Sequence, residues 1–475
     1  MNIVCVYSIT IYSADNKLYS PMEIPFGISC IATSLKLAGH SVKLMLVTPT
    51  TSIYDELKSM IDGLQPGLFC LTAVSTQIPV IKQVGEAIKK IDPSIYIIMG
   101  GAHTTLNPDE VIDYNFVDAL CIGEGEKAVV KLAGQLEEKA TPTRIPNLWI
   151  KNRMAGQIER NSIQRFIEDL DSLPFLDRSM WDPLISDRDI ARHAVLVGRG
   201  CPNRCTYCSN HALARVAKGR YVRFRSSNNI IAELSSLVER YSEMKEVFLE
   251  VETLGVNLKY TYQLLSDLAS FNKTLQDPLR FGTNIAVTGK IKNNQELLEA
   301  FRKANFKYLI IGLESGSERI RNEVLNRPRY SNKDIIEFCR LAREYSIKIK
   351  INVLIGLPGE TRNDFQETIK CVRGCQPAGG VAPAIFFPYP GTKLYELCRE
   401  QKLLRPVAKT TIIERTSSVL DLPGFPPWQI KKEQILFYYK VFKGYKPWSD
   451  LISHTARNIL GMFPRVKRTL SYLRK

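Results

Sequence analysis

Several things are missing from this sequence, and each absence removes a class of protein. No stretch of about 18 uninterrupted apolar residues occurs, so no segment is expected to span a membrane. Met1 runs directly into the strand-like Ile3-Val4-Cys5-Val6-Tyr7 with no secretory leader, so the eleven cysteines are not read as a disulfide framework. A reducing cytoplasm is the expected compartment. No G-x-G-x-x-G fingerprint opens the first helix, which disfavours a nicotinamide or flavin site. Zinc loops usually carry two C-x2-4-C pairs, or one such pair and a histidine pair. Here one short cysteine loop is followed by no second C-x2-C pair, and His211 is the only histidine near it.

What is present is the composition of a globular protein with two or three domains: 475 residues, 45% hydrophobic and 24% charged. The net charge of +16 is unevenly placed. Beyond residue 430, Lys431, Lys432, Lys440, Lys443, Lys446, Arg457, Arg465, Lys467, Arg468, Arg474 and Lys475 face only Glu433 and Asp450, which points to an anionic surface or partner.

The cysteine loop reads Gly200-Cys201-Pro202-Asn203-Arg204-Cys205-Thr206-Tyr207-Cys208-Ser209 and follows the apolar run Ala194 to Val197. Three soft ligands at C-x3-C-x2-C spacing suit iron–sulfur or zinc. A four-iron cluster normally takes four cysteines, so three on one loop would leave one iron open to a chelating small molecule. Cys5, Cys70 and Cys121 sit in apolar runs and read as small buried thiols, and Cys371 with Cys375 as structural thiols at a helix end.

Residues 1–140 alternate strands (Ile3 to Tyr7, Val42 to Val47, Gly67 to Ala73, Ile95 to Met99, Ala119 to Ile122) with helical segments, the pattern of a doubly wound, Rossmann-like parallel sheet. Ligands bind such sheets at the strand carboxyl ends, where Gly100-Gly101 and Gly123-Glu124-Gly125-Glu126 fall. Plain strand-to-helix turns explain those glycines equally well. Residues 141–192 lose periodicity around Pro142, Pro146, Pro174 and Pro183 and read as a linker. From 193 to 395 about six strand–helix repeats fit a partial (β/α)6 TIM-like barrel, with working residues at the strand carboxyl ends. Glu250, Glu252, Glu314, Ser315 and Gly356 lie there. Ser315 and Ser317 are also ordinary helix caps, with Glu318 completing a capping-box pattern.

The cysteine loop with its aromatic Tyr207 resembles the radical SAM (S-adenosylmethionine) signature. Residues 1–140 resemble the cobalamin-binding domain that precedes some radical SAM domains, through Gly39-His40-Ser41-Val42, Gly100-Gly101-Ala102-His103-Thr104-Thr105, Pro108-Asp109-Glu110 and Gly123 to Glu126. The resemblance implies that Cys201, Cys205 and Cys208 hold a 4Fe-4S cluster, with SAM chelating the fourth iron. One electron would then cleave SAM to methionine and a 5′-deoxyadenosyl radical. It also implies SAM contacts from Glu250 or Glu252, from the Gly312-Leu313-Glu314-Ser315 segment and from the Gly356-Leu357-Pro358-Gly359-Glu360 segment, with Tyr207 near the cluster. Cobalamin would lie against Gly100, Gly101, Gly123, Glu124 and Gly125. The D-x-H-x-x-G motif of classical cobalamin enzymes is absent, so His103 is either a ligand or a turn histidine, and the turn is favoured.

After Pro388-Tyr389-Pro390-Gly391-Thr392, residues 396–475 form an expected basic, aromatic-rich helical extension. It could pack on the barrel, lie on a membrane surface or bind nucleic acid, the last disfavoured for want of a nucleic-acid fold. The family resemblance implies a radical enzyme that methylates an unactivated carbon from cobalamin, acting on a small or lipid-like substrate with an electron donor such as flavodoxin or ferredoxin. A radical oxidoreductase or cyclase without methyl transfer is the alternative, and a non-catalytic zinc-loop protein a remote one.

Overall fold

The computed structural model describes residues 1–9, 12–13, 15–152, 156–186, 190–406 and 415–460. Nine elements build the first domain's winding: β1 (Asn2–Ser8), α1 (Phe26–Leu37), β2 (Ser41–Val47), α2 (Ile53–Leu64), β3 (Leu68–Thr72), α3 (Ile78–Ile91), β4 (Tyr96–Gly100), β5 (Ala119–Cys121) and, between the last two strands, the short helices α4 (Ala102–Leu106) and α5 (Pro108–Ile112) taken as one unit. Helix α6 (Glu126–Glu137) closes it. The strands pair in the order β2-β1-β3-β4-β5, all parallel. Alternation along β1 shows why helices cover both faces. Ile3 and Cys5 pack with Ile28, Ala32 and Leu35 of α1 and with Val129 and Leu132 of α6. Val4 and Val6 pack with Leu57 and Ile61 of α2 and with Ile81, Val84 and Ile88 of α3.

The sheet is longer than the periodicity suggests. Strands β6 (Leu148–Asn152) and β7 (Gln157–Arg160) fall in the stretch read as linker, yet they add to β5 as antiparallel strands. Leu148 and Ile150 are fully buried, but the strands are only five and four residues long, too short for a two-residue period to stand out beside the nearby prolines. Past them the chain does run without long elements, through three single 3-10 turns.

The second sheet holds β8 (Arg192–Leu196), β11 (Glu246–Leu254), β12 (Arg280–Ile285), β13 (Phe306–Glu314), β14 (Lys348–Ile355) and β15 (Gly380–Ile385), and between its first two strands the chain forms the small antiparallel pair β9 (Gly198–Arg199) and β10 (Arg223–Phe224). Its six strands are parallel and strictly sequential, from β8 at one edge to β15 at the other. That order is the open (β/α)6 barrel the repeats imply. Its helices are α7 (Asn210–Leu213), α8 (Ser227–Arg240), α9 (Leu258–Thr274), α10 (Gln295–Lys303), α11 (Asn332–Glu344) and α12 (Arg362–Cys375). Asparagine, serine and threonine side chains cap α8 to α12 by accepting backbone N–H groups, as at Ser331 and Thr361.

Helices α13 (Lys393–Glu400), α14 (Pro427–Phe442) and α15 (Trp448–Leu460) follow. Of the three roles open to the extension, packing accounts for α14. Its Phe437 ring lies 5.7 Å from Phe365 of α12, and the Arg373 guanidinium of α12 donates to the carbonyls of Lys440, Val441 and Lys443 at its carboxyl end. Arg465, Lys467, Arg468, Arg474 and Lys475 lie outside the described residues.

Candidate functional site

The two domains meet carboxyl end to carboxyl end. Between them lies a cavity of about 500 Å³. From the first domain it is lined by Phe26, Ile28 and Ile31 of α1, Thr72, the Gly100-Gly101 turn and Gly123 to Glu126. From the barrel it is lined by Leu196, Gly198 to Gly200, Ser209, Tyr221, Arg223 and Glu252. Two glycines are required by sterics. At Gly101 (φ 95°) a Cβ would stand 2.7 Å from Thr72 Oγ1 and 2.8 Å from the Ala73 carbonyl. At Gly200 (φ 89°) it would stand 2.3 Å from the Tyr221 carbonyl, so the approach of β10 to the cysteine loop depends on a missing side chain.

The cysteine loop is clamped from the far side of the barrel. Thr206 donates its hydroxyl to the Val324 carbonyl at 2.6 Å and its N–H to the Leu325 carbonyl at 3.1 Å. Cys205 is buried, and Cys201 and Cys208 are half-buried. Burial pushes the Cys201 thiol up to about 11, against the Asn203 backbone N–H and with the added repulsion of Glu252. Burial raises Cys208 as well, so ionisation of these thiols calls for a metal's charge. The three thiols stand near enough to disfavour one another's ionisation, and a four-iron cluster would take one thiolate on each of three irons.

Glu252 and Glu250 part company. Glu252 is on the interdomain cavity and adds repulsion at Cys201, Cys208 and Tyr221. Glu250 opens instead on a separate cavity at the amino ends of the strands, with Arg192, Tyr308, Lys348 and Lys350, and burial followed by the Glu252 charge pushes it up to about 7.

Tyr207 and Glu314 form one enclosed unit with Arg327, a residue the sequence does not flag. The Arg327 Nη1 donates to the Tyr207 hydroxyl at 3.1 Å and stands 3.8 Å from Cys205 Sγ, and its Nη2 donates to the Gly312 carbonyl. Glu314 has φ 63°, in the left-handed region, where β13 slips register against β14. Burial raises its carboxyl, opposed by Arg327 and the Tyr207 hydroxyl.

Six expected contacts are not among the residues lining the cavity: Tyr207, Glu250 and Glu314, already described, and His103, Ser315 and Gly356. His103 is buried in α4, with Nδ1 3.0 Å from Ser75 Oγ and with Nε2, which makes no hydrogen bond, 3.6 Å from the Glu110 carboxylate. Among the described residues no histidine lines the cavity. Ser315 is fully buried and accepts the Ser317 N–H, while Gly316 N–H is bonded to Thr368, so this segment ties α12 to the end of β13. Gly356 lies beneath Ile430 of α14, and its N–H and that of Leu357 donate to Glu360.

Burial of Glu360 pushes its carboxyl up to about 8, despite those two backbone donors. The folded protein thus holds a proton that the unfolded chain releases above about pH 4.3, so this group's stabilising contribution declines from there until pH passes about 8. Glu360→Gln should melt like the parent at pH 5 and clearly above it at pH 8.5, a divergence that thermal melts at the two pH values would read.

Glu124 lines the cavity and is held there by the barrel. It accepts from Arg199 Nη1 at 2.9 Å, from Arg223 Nη1 at 3.0 Å and from the Ile167 N–H at 2.7 Å. Glu126 takes the other Arg199 nitrogen at 2.6 Å. Burial disfavours the Glu124 charge, and the Arg223 bond with the Arg199 charge more than offsets it, holding the carboxyl below its ordinary value. The acidic loop of one domain is thereby pinned to the pair of strands flanking the cysteine loop of the other.

A Rossmann-like domain facing a partial barrel, with the two ends of a three-thiol loop, Gly200 and Ser209, on their shared cavity, defines a two-domain cofactor enzyme built around a metal cluster. Residues 195–372 match the Radical SAM superfamily, and residues 20–133 match the B12 binding domain. The chain belongs to the radical SAM enzymes that carry a cobalamin-binding domain, whose cofactors are a 4Fe-4S cluster, SAM and cobalamin. It is similar to the hopanoid C-3 methylase of Methylococcus capsulatus, 23% identical over 97% of this chain and 84% of that protein. It is also similar to the anaerobic magnesium-protoporphyrin IX monomethyl ester cyclase of Cereibacter sphaeroides, 25% identical over 79% of this chain, which spans 60% of the cyclase. Its fold is that of the radical SAM methyltransferase TsrM from Kitasatospora setae, solved with cobalamin and a [4Fe-4S] cluster, at TM-score 0.68 and 14% identity over 94% of this chain and 89% of that one. The cavity fits the group this domain binds, with glycines at the Gly101 turn and apolar walls from Ile28, Ile31, Ile98 and Val129 that suit a large flat ligand with a nucleotide tail. No described helix is long and apolar enough to cross a membrane.

Proposed function

We propose that the enzyme methylates an unactivated carbon of a small or lipid-like molecule, with Cys201, Cys205 and Cys208 holding the cluster and the interdomain cavity holding cobalamin. The observation that carries this reading is the cavity itself, which the glycine turns of the first domain and the cysteine-loop side of the barrel line together. When bound, the cluster and SAM supply a carbon radical and cobalamin supplies the methyl group. The protein's part is position and exclusion of water. Glu252 offers a carboxylate for the SAM ammonium, Glu314 and Tyr207 are held by Arg327, and the Glu124 pairs keep the two halves of the cavity in register. Similarity to a hopanoid methylase over nearly the whole chain supports a lipid-like substrate. An electron donor of flavodoxin or ferredoxin type completes the cycle.

The test is anaerobic reconstitution with iron, sulfide and hydroxocobalamin, followed by metal analysis and assay of deoxyadenosine release from SAM under reduction. Iron with stoichiometric cobalamin supports methyl transfer. Iron and SAM cleavage with no retained cobalamin favours the oxidoreductase or cyclase reading. Bound zinc in place of iron would sink both. Within this scheme Glu252→Gln should weaken SAM binding about tenfold, the loss of roughly one charge-assisted bond. Glu250→Gln should leave SAM affinity unchanged, and calorimetric titration of both variants would separate the two glutamates.

A further inference from the structure

Helix α15 stands apart from the rest of the extension. Of its described side chains only Leu451 is buried, and its ring contacts with α14 are His454 stacked 3.7 Å from Tyr438 and Trp448 5.9 Å from Tyr439. Trp448, Ile452 and Ile459 fall within about 40° of one another around a helix turning 100° per residue, so they form one stripe. That stripe faces solvent, with Trp448 60%, Ile452 63% and Ile459 44% exposed, and Trp428 at the start of α14 is 64% exposed. Large apolar residues clustered in this way on one surface helix are unusual on a free surface and signal a contact.

The charge around the stripe says what kind. Glu433 and Asp450 are the only acidic residues on α14 and α15, and Glu433 is buried and already paired with Lys440. Lys432, Lys443, Lys446 and Arg457 have no ion pair among the described residues, and Lys446 lies over the Phe442 ring with its nitrogen 4.2 Å from the centroid. An apolar stripe that begins in a tryptophan just past the unpaired Lys443 and Lys446 matches the interface of an anionic bilayer: the tryptophan suits the headgroup boundary, the isoleucines the upper acyl region, and the lysines the lipid phosphates. A protein partner would more often bring a groove or acidic side chains to match, and the surface here is a convex helix.

We infer that α15 docks the enzyme in the plane of an anionic membrane surface, with Trp448, Ile452 and Ile459 inserted at the headgroup boundary. The inference stands on this surface alone and does not require methyl transfer. Its test reads binding rather than turnover. The full-length protein is sedimented with vesicles of phosphatidylcholine and phosphatidylglycerol in equal parts, and with pure phosphatidylcholine vesicles. Binding to the mixed vesicles, at least tenfold weaker on the neutral ones and reversed by high salt, is the expected result.

Ile452→Glu with Ile459→Glu should lower partitioning at least tenfold, whereas Leu37→Glu, at a residue 71% exposed on α1 of the first domain, should leave it unchanged. Unchanged circular dichroism keeps the double variant interpretable. Three outcomes overturn the inference: no binding to anionic vesicles, equal binding by the double variant and the parent, or self-association without lipid that the double variant abolishes. The last would assign the stripe to a second copy of the chain.

Discussion

Replacing Cys201, Cys205 or Cys208 by alanine is expected to take the reconstituted protein from about four irons per chain to background, with loss of SAM cleavage. The three side chains act as a unit, so any one substitution should cost nearly as much as all three together. The effect should not come from unfolding. The loop is held by Thr206 on the Val324 and Leu325 carbonyls, not by the thiols, and the first domain's core is separate from it. Cobalamin retention should therefore survive in each variant. Cys371→Ala is the matched control, because Cys371 is buried in α12 beside Cys375 and should cost stability while leaving iron content alone. Retention of iron by any of the three loop variants would remove the cluster from this site.

Glu124→Leu should be the most damaging single change outside the loop. It leaves the Arg223 guanidinium buried without its carboxylate and the Ile167 N–H without an acceptor. Breaking a buried pair on one side typically costs about 3–5 kcal/mol, because the remaining charge stays out of water. Denaturant melts should lose that much, and cobalamin affinity should fall with it, since the same loop lines the cavity. Iron content should hold. Adding Arg223→Leu to Glu124→Leu should recover part of the stability, because the stranded charge is gone and Arg199 keeps Glu126. If Glu124→Leu melts like the parent, the interdomain pairs are surface ornaments and the register of the cavity is set elsewhere.

Most of the architecture was legible because it rests on local signals. Strand and helix periods marked both sheets, and six sequential repeats marked the open barrel. The cysteine spacing marked a metal loop, the family resemblance made it a cluster loop, and the glycines after β4 and β5 fall at the end of the first domain that lines the cavity. Strands β6 and β7 were not legible, since their place depends on pairing with β5 across about 30 residues.

The sequence alone determined the two domains and the three thiols, through periodicity and spacing, and its resemblance to a known family supplied the cofactors. Only the tertiary structure decided which polar residues serve the site. Arg199 reaches Glu124 across 75 residues and Arg327 reaches Tyr207 across 120, and no local pattern records such a meeting. Folding also turned His103 toward Ser75 and Glu110, Ser315 into the seam with α12, and Glu250 to the other end of the barrel, while leaving Glu252 beside the cysteines. The physical reason is one of direction: a motif fixes which side chain is present, and the packing around its strand end fixes where that side chain can point.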